Sequence, residues 1–208
     1  MATTIILVRH GQTEWNRVER FRGRVDVPLN ETGLQQAEAT GCRVAAEWQP
    51  VAIFSSPLSR AVKTAEAIGR NVNLDIQIHP GLVDIDYGDW QALTPEEARS
   101  QWPEMVEAWY KTPHLAHIPG GETLGELRVR AMRTVGDLAS RHTGQTIILV
   151  SHTVINRVIL MCVLVIGNER FWRIRQEPCA INVFEAEARE YTLLSLNDTC
   201  HLSKLTSK

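Results

Sequence analysis

The chain alternates between short stretches that are apolar at every position and longer ones that are apolar only at every third or fourth. Ile5-Ile6-Leu7-Val8 is of the first kind, and so are Val51 to Ser55 and Thr146 to Val150 apart from the polar residue at one end of each. A run without polar alternation suits a strand covered on both faces, as in a parallel sheet. The second kind predicts helices. Asn30 is placed to cap a helix running to about Trp48, with Leu34, Ala37, Gly41, Val44 and Ala45 at core spacing and Pro50 closing it. A helix from Leu58 to about Arg70 carries Lys63, Glu66 and Arg70 on an exposed, salt-bridged face. Thr94-Pro95-Glu96-Glu97 and Thr123 with Glu126 are capping boxes, and the second opens a long helix to about Arg141. Its buried stripe is Leu124, Leu127, Ala131, Val135 and Leu138. Val158 to Ile166 is about half the length that a membrane-spanning helix requires, and it reads as a core helix. Asp75 to His79 predicts a third strand, and Ile181 to Glu185 with Tyr191 to Leu196 an antiparallel hairpin on the sheet edge. The sum is an α/β fold built on an open sheet.

The apolar runs end in chemistry. Arg9 and His10 sit where the first strand leaves its sheet, and Gly11 lets the backbone turn so that both side chains face one crevice, where open α/β sheets place ligands. An imidazole beside a guanidinium, with Gln12, Thr13 and Asn16 close behind, suits an oxyanion: a nucleophile or base, a fixed cation and neutral donors. Ser55-Ser56-Pro57 ends the second strand, and Arg60 falls in the first turn of the next helix, facing the same crevice if the two strands are parallel. The strand from Thr146 breaks into Ser151, His152 and Thr153, so two histidines end two buried strands. Arg17 to Arg24 is a basic loop without helical or strand period. Asp84, Asp86 and Asp89 put three carboxylates in six residues. One reading is a Mg²⁺ site of the D-x-D kind used by aspartate-nucleophile phosphatases, which want Thr or Val two residues after the second Asp; here that residue is Gly88. Trp102, Met105, Val106, Trp109 and Tyr110 pack a helix onto the domain or form a lid over the site, and packing is preferred. His114 and His117 have no spaced partners and read as surface residues.

With 208 residues and 44% hydrophobic content, a single domain over 1–208 with a sizeable core is expected. A net charge of −2 argues against nucleic acid or an anionic membrane as the general partner, while local positive charge can still bind an anion. No basic segment followed by a long apolar stretch marks the N-terminus as a secretory signal. Cys42, Cys162, Cys179 and Cys200 are widely spaced, which suits buried thiols in a reducing compartment better than disulfides or a zinc site. A cytoplasmic location is expected; the assembly state is open, with a homodimer among the options.

Leu7-Val8-Arg9-His10-Gly11-Gln12-Thr13-Glu14-Trp15-Asn16 resembles the signature of the histidine phosphatase, or phosphoglycerate mutase-like, superfamily. Ser55 to Ala61, Tyr87-Gly88-Asp89-Trp90, Pro119 to Thr123 and Val150 to Thr153 resemble its later blocks in the same order. The resemblance covers nearly all of residues 4 to 200 and implies a three-layer α/β/α sandwich with a mostly parallel central sheet. It implies phosphoryl transfer through a phosphohistidine on His10, with Arg9, Arg60, His152 and Asn16 around the phosphoryl oxygens, and no metal or other cofactor. The stretch matching the basic loop borders the phosphate in that family, so the resemblance implies ligand contact at Arg22 or Gly23, and it places Tyr87 and Thr153 at substrate-binding positions. Asp84 stands where the family has its catalytic Glu, one methylene shorter, so the backbone must carry the carboxyl closer or Glu122 or Asp86 must help. Thr153 replaces the usual Gly, as in one branch of the family.

Leu196 to Leu202 and Ser151 to Val154 resemble the metal-independent phosphoserine phosphatases within that superfamily, although that subgroup tends to carry His at the position of Tyr87. The expected activity is a phosphatase acting on phosphate monoesters of small metabolites. A phosphoglycerate mutase is the alternative, disfavoured because mutases insert a longer segment where this chain has only Gln91 to Pro119. A phospho-ligand binding protein with weak catalysis is the third reading, kept open by Asp84 alone.

Overall fold

The computed structural model describes residues 1–16, 18–188, 190–203 and 205. Arg17, the first residue of the basic loop, lies outside them. In chain order the principal elements are β1 (Thr3–Arg9), α1 (Glu31–Glu47), β2 (Ala52–Ser55), α2 (Ser59–Val72), β3 (Ile76–Ile78), α3 (Pro95–Gln101), α4 (Pro103–Lys111), α5 (Leu124–Arg141), β4 (Thr146–Ser151), α6 (Thr153–Val163), β5 (Ile181–Glu187) and β6 (Glu190–Asp198). The six strands form one sheet in the order β3-β2-β4-β1-β5-β6. β3, β2, β4 and β1 run parallel, and the β5–β6 hairpin joins β1 antiparallel.

The unbroken apolar runs are explained by cover on both faces. Ile5, Leu7, Phe54, Ile147 and Leu149 join a core with α5 and α6, whereas Ile6, Val8, Ile53, Ile148 and Val150 join one with Val44 of α1 and Ala61, Ala65 and Ile68 of α2. Successive residues of one strand thus feed opposite layers, as the period of two requires. The result is the expected three-layer α/β/α sandwich. Both capping boxes form, at Thr94/Glu97 and Thr123/Glu126, and the α5 stripe is buried as expected.

Three expectations shift. In α1, Leu34 and Ala45 are exposed, and the buried face is Gly33, Gln36, Ala37, Thr40, Gly41 and Val44. The helix is turned so that a glycine meets the first loop: a Cβ on Gly33 would stand 2.1 Å from the Gln12 carbonyl oxygen, and the Gln36 side chain accepts a hydrogen bond from the Gln12 amide at 2.9 Å. The apolar run from Val158 does not stay helical to Ile166, because α6 ends at Val163 and Val165 adopts positive φ in full exposure. The β5–β6 hairpin lies at the sheet edge as expected, with β5 against β1 and β6 outermost. Of the four free thiols only Cys179 is buried; Cys42 faces outward from α1, and Cys200 sits in the final exposed turn.

Candidate active site

The register of β1 against β4 sets Arg9 opposite Ser151, so the next residue of each strand, His10 and His152, is delivered to the same sheet end. The rings lie 5.1 Å apart, and the His10 amide donates to the Ser151 carbonyl at 2.9 Å. His10 Nδ1 sits 2.7 Å from the Gly11 carbonyl, which only accepts, so in the neutral ring Nδ1 carries the proton and Nε2 the lone pair. His152 is fully buried behind it, with Nε2 2.7 Å from Ser56 Oγ and Nδ1 without a partner among the described residues.

Arg60, in the first turn of α2, is buried and donates to the carbonyls of Val25 at 2.7 Å and Gly23 at 2.9 Å. Gly23 holds φ +46°, and a Cβ there would come within 2.8 Å of the Ile85 carbonyl oxygen, so this loop needs glycine to reach Arg60. Arg9 is buried and donates to the Gln176 carbonyl. That loop is fixed in turn by a reciprocal amide pair between Gln176 and Asn182, at 2.8 and 2.9 Å, with Asn182 also donating to the Leu7 carbonyl at 3.0 Å. The Nε atoms of Arg9 and Arg60, like His152 Nδ1, are buried without a partner among the described residues. Each such orphan costs about 1–3 kcal/mol until an acceptor arrives.

Asp84 accepts from the Ile155 amide in the first turn of α6 at 3.3 Å, where backbone donors favour an anion. Its loop is clamped by Arg130 of α5, which donates to the carbonyls of Gly81 (3.0 Å), Val83 (2.9 Å) and Asp84 (3.3 Å) while pairing with Glu122 at 2.8 Å. Asp86 pairs with Arg24 at 2.9 Å. The candidate helpers are therefore spent on structure, and of Asp84, Asp86 and Glu122 only Asp84 lines the cavity with His10. The two aspartates of the D-x-D diverge, and among the described residues no three His, Cys, Asp or Glu side chains group as metal ligands.

The charges are tuned by burial. His10 is held well below the ordinary imidazole range by desolvation first, then by Arg60, His152 and Arg9, so it stays neutral. His152 is lowered in the same way by burial, Arg60 and Arg9. Burial raises Asp84 above the usual carboxylate range against the opposing pull of Arg60. Desolvation lowers Arg9 to about 9 and Arg60 to about 10, which leaves both charged at neutral pH.

A cavity of about 410 Å³ opens over these groups. Arg9, His10, Asn16, Arg22, Gly23, Arg60, Asp84, Tyr87 and Thr153 all line it; His152 stands one layer behind. Asn16 spends its Oδ1 on the amide and hydroxyl of Thr13, at 2.8 and 2.9 Å. Arg22 donates to the Trp15 carbonyl at 3.0 Å. The opposite wall holds residues that sequence reasoning missed: Arg157, Phe171, Trp172 and Gln176, with Trp109 and Tyr110 from α4. Trp109 is buried against Tyr87, Phe171 and Trp172, so the tryptophan-rich segment packs and lines at once. The one available signal for Arg157 was a lone charge in the otherwise uncharged helix TVINRVILMCV.

Residues 5–199 match the model of the histidine phosphatase superfamily, branch 1. A Hydrogenobacter thermophilus protein named phosphoserine phosphatase 1 is 34% identical over 200 residues, which cover 96% of this chain and 94% of the relative. A metal-independent phosphoserine phosphatase of Arabidopsis thaliana is 32% identical over 205 residues, 98% of this chain and 84% of that protein. Among solved structures, Bacillus stearothermophilus YhfR superposes with a TM-score of 0.92 at 29% identity, covering 97% of this chain and 100% of the other.

Proposed function

The chain belongs to the histidine phosphatase superfamily, branch 1, and from that premise we propose that it hydrolyses phosphate monoesters of small metabolites through a phosphohistidine on His10. What carries this reading is the state of the His10 ring: Nδ1 is committed to Gly11, the ring is kept neutral, and the residue faces a cavity whose nearest charges are two buried arginines. Nε2 attacks phosphorus in line as the ester oxygen departs. Arg9, Arg60, Asn16 and His152 hold the three equatorial oxygens, the last through Nδ1–H once the Ser56 hydroxyl donates to Nε2.

Asp84 supplies the proton. Burial raises its pKa and so favours the carboxylic acid, which donates to the leaving alkoxide; the carboxylate so formed takes a proton from the water that attacks the phosphohistidine. No metal enters these steps. The relatives' names support phosphoserine as the first ester to try and support metal independence. Four free thiols, two of them exposed, support a reducing, cytoplasmic setting. No helix among the described residues is long and apolar enough to cross a membrane.

The test is a rapid-quench search for a phosphoenzyme during turnover of phosphoserine, 3-phosphoglycerate and p-nitrophenyl phosphate, with and without EDTA. An acid-labile phosphoenzyme that is absent from His10→Ala, with phosphate release unaffected by EDTA, is the expected result. A phosphoenzyme that persists in His10→Ala, or turnover lost in EDTA and restored by Mg²⁺, sinks the proposal.

A further inference from the structure

The phosphoryl end of the cavity uses Arg9, Arg60, Asp84 and His152, and leaves Arg157 without a task. Arg157 lies in the second turn of α6, one helical turn beyond Thr153 and Val154, which share its lining face. Its guanidinium is seated 5.2 Å from the Phe171 ring and 5.3 Å from the Trp172 ring. Trp172 is itself held, through Nε1 to the Trp109 carbonyl at 3.0 Å and by stacking on Tyr110. Yet no hydrogen bond or ion pair joins the Arg157 guanidinium to any described residue, and its Nε is buried without a partner. A half-buried arginine fixed by two rings and left unpaired is a preorganised anion site, because the cost of ordering and desolvating it has already been met by the fold.

The anion is not the transferred phosphoryl group. The charges that chiefly depress the His10 imidazole are Arg60, His152 and Arg9, whereas Arg157 is coupled first to Tyr87, then to Asp84 and Glu177, on the leaving-group side of the imidazole. Glu19 and Glu177 line the same wall, which disfavours a second dianionic phosphate there. A single planar fork matches the two oxygens of a carboxylate. We propose that Arg157 binds a carboxylate on the alcohol part of the ester, so that the substrates are small phosphate monoesters of hydroxy acids. This rests on the reading of the His10 cavity as a phosphate monoester site.

Calorimetric binding to the His10→Ala protein tests it without turnover, using two matched pairs: 3-phosphoglycerate against glycerol 3-phosphate, and phosphoserine against phosphoethanolamine. The carboxylated member of at least one pair should bind more tightly by on the order of tenfold to a hundredfold. Arg157→Gln in the same background should bring that ratio close to one, and Arg157→Lys should keep part of it, since charge survives while the fork is lost. Binding of both members without discrimination, or an equal loss for both in Arg157→Gln, overturns the carboxylate site and leaves the phosphate site standing. If none of the four compounds binds, both readings fall. Should Arg157→Gln fail to fold, judged by its thermal melt, the Lys variant decides alone: a ratio unchanged from that of Arg157 overturns the proposal.

Discussion

At one end of the cavity Arg9, His10 and His152 continue β1 and β4, and Arg60 and Asp84 are tied to backbone groups at distances of 2.7 to 3.3 Å. At the other end Trp109, Arg157, Phe171 and Trp172 come from α4, α6 and the turn Asn168–Arg173, and what joins them is ring against ring or ring against guanidinium. The first end is positioned by backbone hydrogen bonds, the ladder of a buried parallel sheet for Arg9, His10 and His152 and loop carbonyls and amides for Arg60 and Asp84, which leaves its groups little freedom. The second is positioned by side-chain stacking, which is less directional and more easily altered one residue at a time. A change in the groups that hold the phosphoryl oxygens should therefore act on every ester alike, and a change in Asp84 should follow only the leaving group's need for a proton. A change at the stacked end should act according to what the ester's alcohol carries.

The largest effect that tests this division, short of losing His10, is expected from Arg60→Ala. It should lower kcat/KM for alkyl and aryl phosphates by the same factor, about 3–4 kcal/mol or on the order of a hundredfold to a thousandfold, as for other preorganised donors. Arg60→Lys should recover little, because Nη1 and Nη2 serve Val25 and Gly23 from separate points of a planar fork, which a single ammonium nitrogen cannot span while also reaching a phosphoryl oxygen. A loss confined to one ester would break the comparison.

Asp84→Asn should come next and sharpen it. An alkyl phosphate needs a proton on its leaving group and p-nitrophenyl phosphate does not, so the alkyl ester should be slowed on the order of a hundredfold more. The pH profile carries the sign. Asp84 must be protonated at attack, so alkyl-ester turnover falls as pH rises through its raised pKa. His10 must be neutral, and because its pKa is lowered, turnover on that account is lost only as pH falls below the ordinary imidazole range. In Asp84→Asn assayed with the aryl ester the alkaline limb should vanish and the acid limb remain. Equal slowing of both esters would make Asp84 a structural residue.

The smallest effect belongs to the stacked end. Trp172→Ala removes one ring from Arg157 and the donor to the Trp109 carbonyl. It should raise KM for a carboxylated ester roughly fivefold, about 1 kcal/mol, with kcat and the p-nitrophenyl phosphate KM nearly unchanged. A fall in kcat for both substrates would show that the aromatic wall supports the phosphoryl end after all.

Much of the ladder end is legible in the order of residues alone. Arg9-His10-Gly11 and Ser151-His152-Thr153 follow apolar runs directly, and Arg60 sits at a fixed offset after Ser55-Ser56-Pro57, so local pattern places all of them at strand ends. The capping boxes and the α5 stripe are equally local, since a cap spans four residues and a stripe repeats every three or four. Those features are what the sequence by itself determined: strand ends, helix starts, and the chemistry that follows each.

Only the tertiary structure decided which carboxylate faces the cavity. Asp84, Asp86 and Glu122 all carry carboxyl groups, and what separates them is that Arg24, far along the chain, engages Asp86 and Glu122, and Arg130 of α5 also holds Glu122. The same holds for α1, where close approach to Gln12 buried Gln36 and Thr40 in place of Leu34 and Ala45. Arg157 acquired its setting from rings fourteen and fifteen residues away, with no repeat or spacing to announce them. Periodicity records which way a residue faces within its own element. Partnership between elements depends on how those elements dock, and the residues that form such a pair carry no mark of it in their own neighbourhood.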